Sequence, residues 1–333
     1  MPPDARQVGP PASAFQLSLL RGAPLLPVTG EGRGERSRRP GSKNQVLTGE
    51  VEAGCEVGIF GFRAWVTGSP DLVREVETLF PPPPAWAISP DVTATVTFHL
   101  QSDTPRAGWC QVVRDGAPLW ATDHGDEVLP FLEWAIMSAA VEHVGGRYVL
   151  FHAGAVAYAE RGLILPAASG SGKTTLTAGL VAHGFQYLSD EVAALDPVML
   201  RLVPFPKSLC VKPGARRALV RLYSQLRDET PRRRFGGEPV WYLAPGEGVW
   251  PPGPVPVRFV VLPRYAGHGR TTLTPIPRSA ALQRLLEQSF SVRTHGAPGI
   301  GAIAEMLRGA ACYALTVGDL SEAVEVLTQL VAS

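Results

Sequence analysis

The chain has 333 residues, of which 45% are hydrophobic and 18% are charged, and its formal net charge is +1. This near-neutral balance gives no global electrostatic reason to bind nucleic acid, and no apolar run has the length of a membrane-spanning helix. The four cysteines are scattered without the spacing of a metal site, which is typical of a reduced, cytoplasmic chain. We therefore expect a cytoplasmic protein of about two domains, with no membrane or nucleic-acid partner.

Residues 1–44 are rich in proline, glycine and arginine. A segment of this composition buries too little apolar surface to offset the entropy lost on ordering. We predict a disordered tail, with a brief ordered piece near Phe15–Leu20. Its arginines are expected to be solvated, and contact with RNA or a protein partner is the alternative.

Residues 45–145 are predicted to form a small α+β N-terminal domain without a catalytic motif. Period-two alternation and helical spacing of apolar residues define its elements. They are a strand at Glu56–Val66, a helix at Leu72–Phe80, a strand at Val92–Leu100, a hairpin of Trp109–Val113 and Ala117–Ala121 that turns near Asp115-Gly116, and a helix at Glu127–Val144.

Residues 146–333 alternate between strand and helix patterns, which predicts an α/β domain. The strands are expected at Tyr148–His152, Ala155–Tyr158, Leu163–Leu165, Phe185–Leu188, Leu200–Val203, Val257–Leu262 and Ala311–Val317. The helices are expected after the loop 167–172 to about His183, and at Arg216–Arg227, Arg278–Phe290, Ile300–Leu307 and Leu320–Val331. We predict that the strand at 163–165 pairs antiparallel with the one before it, and that the strand at 185–188 pairs beside it.

Residues 167–175 read Ala-Ala-Ser-Gly-Ser-Gly-Lys-Thr-Thr between a predicted strand and a predicted helix, the context of a phosphate-binding P-loop. Small residues let backbone N–H groups face phosphate oxygens, and the helix N-terminus adds partial positive charge. Lys173 is expected to reach the β- and γ-phosphates, and the Thr174 hydroxyl to ligate Mg²⁺. The predicted nucleotide-binding residues are Ser169, Gly170, Ser171, Gly172, Lys173, Thr174 and Thr175.

Alanine stands at position 167, where the motif has its first glycine, and it suits the turn if its φ is negative. The alternative for the whole segment is a glycine–serine loop that binds nothing.

Asp190 and Glu191 follow the strand after the loop helix, 17 and 18 residues beyond Lys173. An acidic pair beside a nucleotide can hold Mg²⁺ and accept a proton from an attacking hydroxyl. We predict Thr174, Asp190 and Glu191 as magnesium ligands, with Asp190 as a catalytic residue. The alternative is that Asp190 caps the next segment and Glu191 is solvated.

His152 lies 21 residues before Lys173 at the end of a predicted apolar strand. A histidine in this position is by itself more typical of a structural residue. Its spacing from the loop 169–174 and from Asp190-Glu191 nevertheless resembles the catalytic domain of HPr kinase/phosphorylase. The resemblance covers about residues 146–210 and extends more weakly over Val257–Tyr265 and Leu320–Leu327.

This resemblance implies a P-loop kinase domain with a mixed sheet, related to phosphoenolpyruvate carboxykinase, over residues 146–333. Family roles transfer to His152, Lys173, Thr174 and Asp190, where the aspartate is the base toward a substrate serine and the histidine assists it. Glu191 stands where the family has a second aspartate. No counterpart of the family's phosphorolysis signature follows Arg227, so the resemblance does not extend to phosphorylase activity or to HPr as substrate.

The sequence therefore predicts an enzyme that uses ATP and Mg²⁺ to phosphorylate a serine-type hydroxyl on a peptide, a protein or a small molecule, with a homo-oligomer left open. A small-metabolite P-loop kinase and a non-catalytic nucleotide-sensing module are the alternatives. Several cations are candidates for steadying the transferring phosphate, Lys207 first, although a solvated surface charge is the more ordinary expectation for each. The others are Lys212, Arg264 and Arg232–Arg234.

Overall fold

A computed structural model describes residues 52–87, 94–102, 109–234, 237–246, 248–267 and 269–333. These residues form a mixed α/β protein with seven α-helices and three sheets. The predicted tail at 1–44, with its ordered piece at Phe15–Leu20, lies outside the described residues. None of the helices in the described part of the chain has both the length and the apolar character needed to cross a membrane.

The first sheet, which we call the N-terminal sheet, has five strands in chain order. They are β1 (Ala53–Ile59), β2 (Phe62–Gly68), β3 (Ala94–Ser102), β4 (Cys110–Arg114) and β5 (Ala117–Thr122). The prediction of one strand over Glu56–Val66 is wrong, because the chain turns at Phe60 and Gly61, whose φ angles are 50° and 91°. The turn was hidden because Ile59, Phe60 and Phe62 are all buried and read as a continuous apolar run.

The predicted hairpin at Asp115-Gly116 is confirmed, and both turn residues have positive φ angles, 49° and 79°. The Asp115 carboxylate accepts a hydrogen bond from the Thr97 backbone N–H at 2.8 Å, which ties the turn to β3. The period-two pattern is confirmed as a strand from Ala94, whereas Val92 and Thr93 lie outside the described residues.

Two helices pack against this sheet, α1 (Pro70–Leu79) and α2 (Val128–Val144), as predicted. The Ser69 hydroxyl caps α1 by accepting from the Leu72 N–H. Helix α2 is apolar on nearly all sides because it lies between two sheets. One buried core contains Phe98 of the N-terminal sheet, Ile136 of α2 and Val192 from the second half of the chain.

The described residues of the second half of the chain form eleven strands and five helices. The strands are β6 (Val149–Tyr158), β7 (Arg161–Pro166), β8 (Gln186–Ser189), β9 (Val192–Asp196), β10 (Arg201–Val203), β11 (Leu209–Val211), β12 (Arg232–Arg233), β13 (Pro239–Leu243), β14 (Val255–Tyr265), β15 (Thr272–Pro275) and β16 (Ala311–Val317). The helices are α3 (Lys173–Ala182), α4 (Pro213–Leu219), α5 (Arg278–Glu287), α6 (Val292–Arg308) and α7 (Leu320–Ala332).

Eight of these strands form the large sheet, in the order β10-β9-β6-β7-β14-β16-β15, with β8 paired to β6. The hairpin of β6 and β7 is confirmed. The prediction that the strand at 185–188 pairs beside β7 is wrong, because β6 lies between β7 and β8. Both strands are antiparallel to β6, so they run in the same direction and still end at the same edge of the sheet.

The second neighbour of β7 is β14, which runs parallel to it. Strand β6 has ten residues, so it pairs with β9 through its first half and with β8 through its second. The remaining strands β11, β13 and β12 form a small antiparallel sheet.

Three later helices differ from their predicted bounds. The segment predicted as one helix at Arg216–Arg227 is α4 followed by a separate 3₁₀ turn at Ser224–Arg227. Helix α5 ends at Glu287 rather than Phe290. Helix α6 begins before the predicted Ile300 and contains a kink at Gly296, where φ is 59°. A proline at the first position of α4 favours the start of the helix there, and a glycine allows the kink in α6. The start of α4 and the kink of α6 therefore have local causes.

Candidate functional site

The loop 167–172 connects the end of β7 to the start of α3, as the motif predicts. Gly170 and Gly172 have φ angles of 81° and 89°, in the left-handed region where glycine is favoured. Ala167 is buried and does not have a positive φ, so an alanine is accommodated at this position without strain. The loop therefore takes a defined turn despite the substitution of its first glycine.

Lys173 is the first residue of α3, and its side chain is buried under the loop. Its ammonium group donates to the carbonyl oxygens of Ala167 at 2.6 Å and Ala168 at 3.0 Å. Burial lowers the pKa of Lys173 to about 8, although the carboxylates of Glu191 and Asp190 oppose this shift. The ammonium is thus mostly charged at neutral pH and lies in the field of the acidic pair.

The other predicted phosphate-binding residues lie on the loop and in the first helical turn. Ser169 and Gly170 are exposed, and Thr175 is half-buried. The Ser171 hydroxyl donates to the carbonyl oxygen of Ala168. This segment therefore presents backbone and hydroxyl groups at the surface while Lys173 is held beneath it.

Asp190 is brought directly to the loop helix. The Thr174 hydroxyl donates to Asp190 Oδ2 at 2.9 Å, and the Tyr187 hydroxyl donates to Asp190 Oδ1 at 3.2 Å. Burial raises the pKa of this carboxyl group, and the charge of Lys207 opposes the shift. The alternative that Asp190 only caps the next segment is wrong, because the Ser189 hydroxyl accepts the N–H groups of Glu191 and Val192 instead.

Glu191 is not solvated, and that alternative is wrong as well. Its side chain is 15% exposed and its Oε2 atom lies 3.4 Å from the Lys207 ammonium. Burial raises the pKa of Glu191, but the positive charges of Lys207 and Arg234 outweigh it and bring the pKa to about 2. The two neighbouring carboxyl groups therefore have pKa values shifted in opposite directions.

His152 lies on β6, buried beside the same cluster. Its Nδ1 atom is 3.3 Å from Gln288 Oε1. Burial lowers the pKa of His152 to about 4, the charge of Lys173 contributes to the same shift, and Glu191 opposes both. The imidazole is consequently neutral at physiological pH and lies within the electrostatic field of both Lys173 and Glu191.

Asp190 and Glu191 connect β8 to β9, which pair one after the other with β6. Ser189 of β8 pairs with Ala155, and Val192 of β9 pairs with His152, so both segments line the same side of β6. Between them, the carbonyl oxygen of Glu191 accepts from the Ala153 N–H at 3.1 Å. The backbone of the pair is thus fixed by the sheet itself.

The sequence indicated Lys207 and Arg234 as candidate cations but not Glu133 and Tyr242, which contact them behind the acidic pair. Lys207 is completely buried, and its ammonium lies 3.0 Å from Glu133 Oε1 on α2. Glu133 Oε2 also accepts from the Tyr242 hydroxyl at 2.8 Å and from Arg234 at 3.2 Å. The expectation of a solvated charge is therefore wrong for Lys207 and Arg234. The available signal was a carboxylate, Glu133, between apolar neighbours in the first half of the predicted helix.

The remaining candidate cations are less closely engaged. Lys212 is partly exposed and pairs with Glu238 at 3.0 Å, although its charge contributes to the lowered pKa of Lys173. Arg264 is exposed near the end of β14. Arg232 and Arg233 pair with acidic residues of the first half of the chain, Glu75 and Asp126.

The donor set suits a hard divalent cation. Thr174, Asp190 and Glu191 offer hydroxyl and carboxylate oxygens, and Mg²⁺ is usually held by one or two carboxylates together with phosphate oxygens. In the part of the chain that the structure describes, no group of three or more His, Cys, Asp and Glu side chains is arranged to hold a metal ion. The oxygen atoms of Thr174, Asp190 and Glu191 are of the chemical type that Mg²⁺ takes as ligands.

A cavity of about 370 Å³ lies elsewhere, against the turn of β1 and β2. It is lined mainly by Phe60, Phe80 and the prolines 81–83, and none of the residues of the charged cluster lines it. The cavity and the charged cluster thus lie in different parts of the molecule. The titratable groups beside the loop are the stronger indication of function.

No protein-family model and no curated protein sequence matches the chain. The geometry of the loop and of the charged cluster beside it is therefore the basis for assigning a function.

Proposed function

We propose that the chain is a P-loop α/β kinase that transfers the γ-phosphoryl group of ATP to a serine-type hydroxyl, with Mg²⁺. The observation that supports this most directly is the 2.9 Å hydrogen bond from Thr174 to Asp190 at the start of α3. It places a hydroxyl and a carboxylate together where a P-loop would hold the metal ion of a nucleotide. Bound Mg²⁺ would neutralise charge on the phosphate oxygens.

In this proposal the loop and the N-terminus of α3 bind the phosphates of the nucleotide. Backbone N–H groups of residues 169–175 and the positive end of the helix would face the phosphate oxygens. The ammonium of Lys173 now contacts the carbonyls of Ala167 and Ala168, and it would reach the β- and γ-phosphates from this position. Because little covalent chemistry is needed, alignment and charge stabilisation would provide most of the catalysis.

The acidic pair is assigned two separate tasks. Glu191, whose pKa is lowered to about 2, would stay ionised and would hold a magnesium ion together with Thr174. Asp190, whose pKa is raised by burial, is the better proton acceptor for the attacking hydroxyl. Pairs of titratable groups with pKa values shifted apart are a common basis for dividing acid–base roles. Neutral His152, beside Glu191, would assist Asp190 in deprotonating the acceptor.

We also propose the relationship to the HPr kinase catalytic domain, with residues 45–145 as a small α+β domain before it. The loop between β7 and α3, His152 on the preceding strand and the acidic pair after β8 support this relationship. The acceptor would be a peptide, a protein or a small hydroxyl compound, and the reaction would take place in the cytoplasm.

The test is incubation of the purified chain with Mg²⁺ and ATP labelled at the γ-phosphate, against serine-containing peptides, proteins and small hydroxyl compounds. Label on a peptide or protein is the expected result. Label on a small metabolite would instead identify a metabolite kinase, and nucleotide binding without transfer would identify a nucleotide-sensing module. Lys173→Met is the matched control, because it removes the loop ammonium and should abolish transfer in either kinase.

A further inference from the structure

Lys207 has no hydrogen-bond donor left for a phosphate. An ammonium group has three N–H donors. Lys207 directs them to Glu133 Oε1 at 3.0 Å, to the Ser208 carbonyl oxygen at 3.0 Å and to Glu191 Oε2 at 3.4 Å. Its side chain is completely buried, and Asp190 Oδ1 lies 3.7 Å away. The lysine therefore contacts the acidic pair from behind rather than facing the loop.

The other side of Lys207 is held by groups that do not belong to the loop. Glu133 is 1% exposed and lies on α2, which packs against the N-terminal sheet and against β12 of the small sheet. Its second oxygen is bonded to Tyr242 and Arg234. A buried lysine with a buried counter-ion has little freedom to move, so the position of Glu191 is determined through Lys207 by Glu133.

The cluster as a whole is electrically balanced. Lys173, Lys207 and Arg234 contribute three positive charges. Glu133, Asp190 and Glu191 contribute three negative charges. Loss of one cation would leave two adjacent carboxylates with an excess negative charge in a buried environment, where unpaired charge is strongly unfavourable.

From this geometry we propose that Lys207 is a positioning residue for the metal-binding carboxylate Glu191, anchored by Glu133. The inference rests on the proposed function, because it assigns a role at the same site. Lys207 contacts neither the nucleotide nor the acceptor in this arrangement. It contacts the carboxylate of Glu191, which would hold a metal ion together with Thr174, and it offsets the charge of the acidic pair.

Two variants separate positioning from simple structural support. Lys207→Met removes the ammonium and leaves Glu133 without its partner, so it should lower both stability and turnover. The double variant Lys207→Met/Glu133→Gln removes one charge of each sign and should recover part of the urea midpoint, because Arg234 loses its ion pair with Glu133 but keeps the charge of Glu191 nearby. We expect its kcat to stay about 100-fold below wild type, because a misplaced catalytic group costs about that much. The Kd for ATP measured without a divalent cation should remain within about twofold, since the loop contacts are unchanged.

A second measurement tests the same role without turnover. It is the affinity for Mn²⁺ in the presence of ATP, determined by electron paramagnetic resonance. Both variants should bind Mn²⁺ about 10- to 100-fold more weakly, the usual cost of losing a group that orients a metal ligand. Arg63→Gln on the N-terminal sheet is the control, because its partner Glu56 lies at the surface.

The outcomes are distinguishable. If the double variant recovers turnover and Mn²⁺ affinity together with stability, Lys207 is only structural and the inference is overturned. If the wild-type chain binds Mn²⁺ and ATP but transfers no phosphate, the kinase proposal fails while the Mn²⁺ measurement still decides the role of Lys207. If the wild type binds neither, both proposals fall.

Discussion

Ion pairs are exposed to solvent on the N-terminal sheet and buried at the loop edge of the large sheet. On the N-terminal sheet, Arg63 and Glu56 form an ion pair at 3.2 Å with 35% and 47% of their side chains exposed. Beside the loop, Lys207 and Glu133 form one at 3.0 Å with 0% and 1% exposed. Desolvating charges is unfavourable, so a cluster of buried ionic groups is a stronger indication of function than surface pairs.

The comparison would be tested most severely by Asp190→Asn. This change keeps the shape of the side chain but removes its charge and its ability to accept a proton. We expect phosphoryl transfer to fall by about 10²- to 10⁴-fold, while nucleotide binding stays close to wild type. Asp71→Asn, an exposed acid on α1, is the control and should leave transfer unchanged. Undiminished transfer by the Asp190 variant would remove that residue from the proposed role.

The two ion pairs should also differ in what they contribute to stability. Glu133→Ala leaves Lys207 and Arg234 without their shared carboxylate, and we expect a loss of about 3–5 kcal/mol in the free energy of unfolding. Glu56→Ala removes an exposed partner of Arg63, and its cost should be about 0.5 kcal/mol. Urea denaturation of both variants measures the difference. Similar losses would mean that burial does not distinguish the two regions.

Acid should destabilise the loop edge through His152. Its pKa is about 4 in the folded chain against an ordinary 6.5, so the unfolded chain binds the proton more tightly. Protonation of His152 therefore does not lower the free energy of unfolding above pH 6.5. As the pH falls from 6.5 toward 4, it lowers the free energy of unfolding by about 1.4 kcal/mol per pH unit. His152→Gln should lack this component, so its unfolding free energy should fall less steeply between these pH values. Parallel profiles for the two proteins would contradict the lowered pKa.

The smallest expected effects come from two glycines with similar backbone angles, Gly116 at a φ of 79° and Gly170 at 81°. An added Cβ would meet no atom within 4 Å at either position, so alanine costs only conformational energy, about 1 kcal/mol. In Gly116→Ala the cost should appear in the urea midpoint, with unchanged nucleotide affinity. In Gly170→Ala we expect about fivefold weaker nucleotide binding. Equal effects of both variants on nucleotide affinity would count against the loop as the binding site.

Local patterns predicted the elements with strong periodicity or clear turn residues. The hairpin at Asp115-Gly116, helices α1, α2 and α7, and the loop between β7 and α3 follow from neighbouring residues alone. The approach of Asp190 to Thr174 could also be predicted, because one helix and one short strand separate them and both strands end at the same edge.

The remaining features depend on contacts that sequence patterns do not encode. Lys207 and Glu133 are 74 positions apart, and His152 and Gln288 are 136 apart. The second neighbour of β7 was predicted incorrectly because chain order favours β8, whereas that place is taken by β14, which comes much later in the chain. The turn at Phe60 was missed because residues on both sides of it are buried in the same core.

The placement of α2 in a core shared by both halves has a practical consequence for protein engineering. A truncated chain that begins at residue 146 would omit Glu133 and remove the apolar helix that covers Val192, Val203 and Phe205. Such a fragment would expose an aggregation-prone surface and leave Lys207 with an unmatched charge in its interior. Anyone who expresses, crystallises or recombines this protein should therefore retain α2 and the strands that cover it.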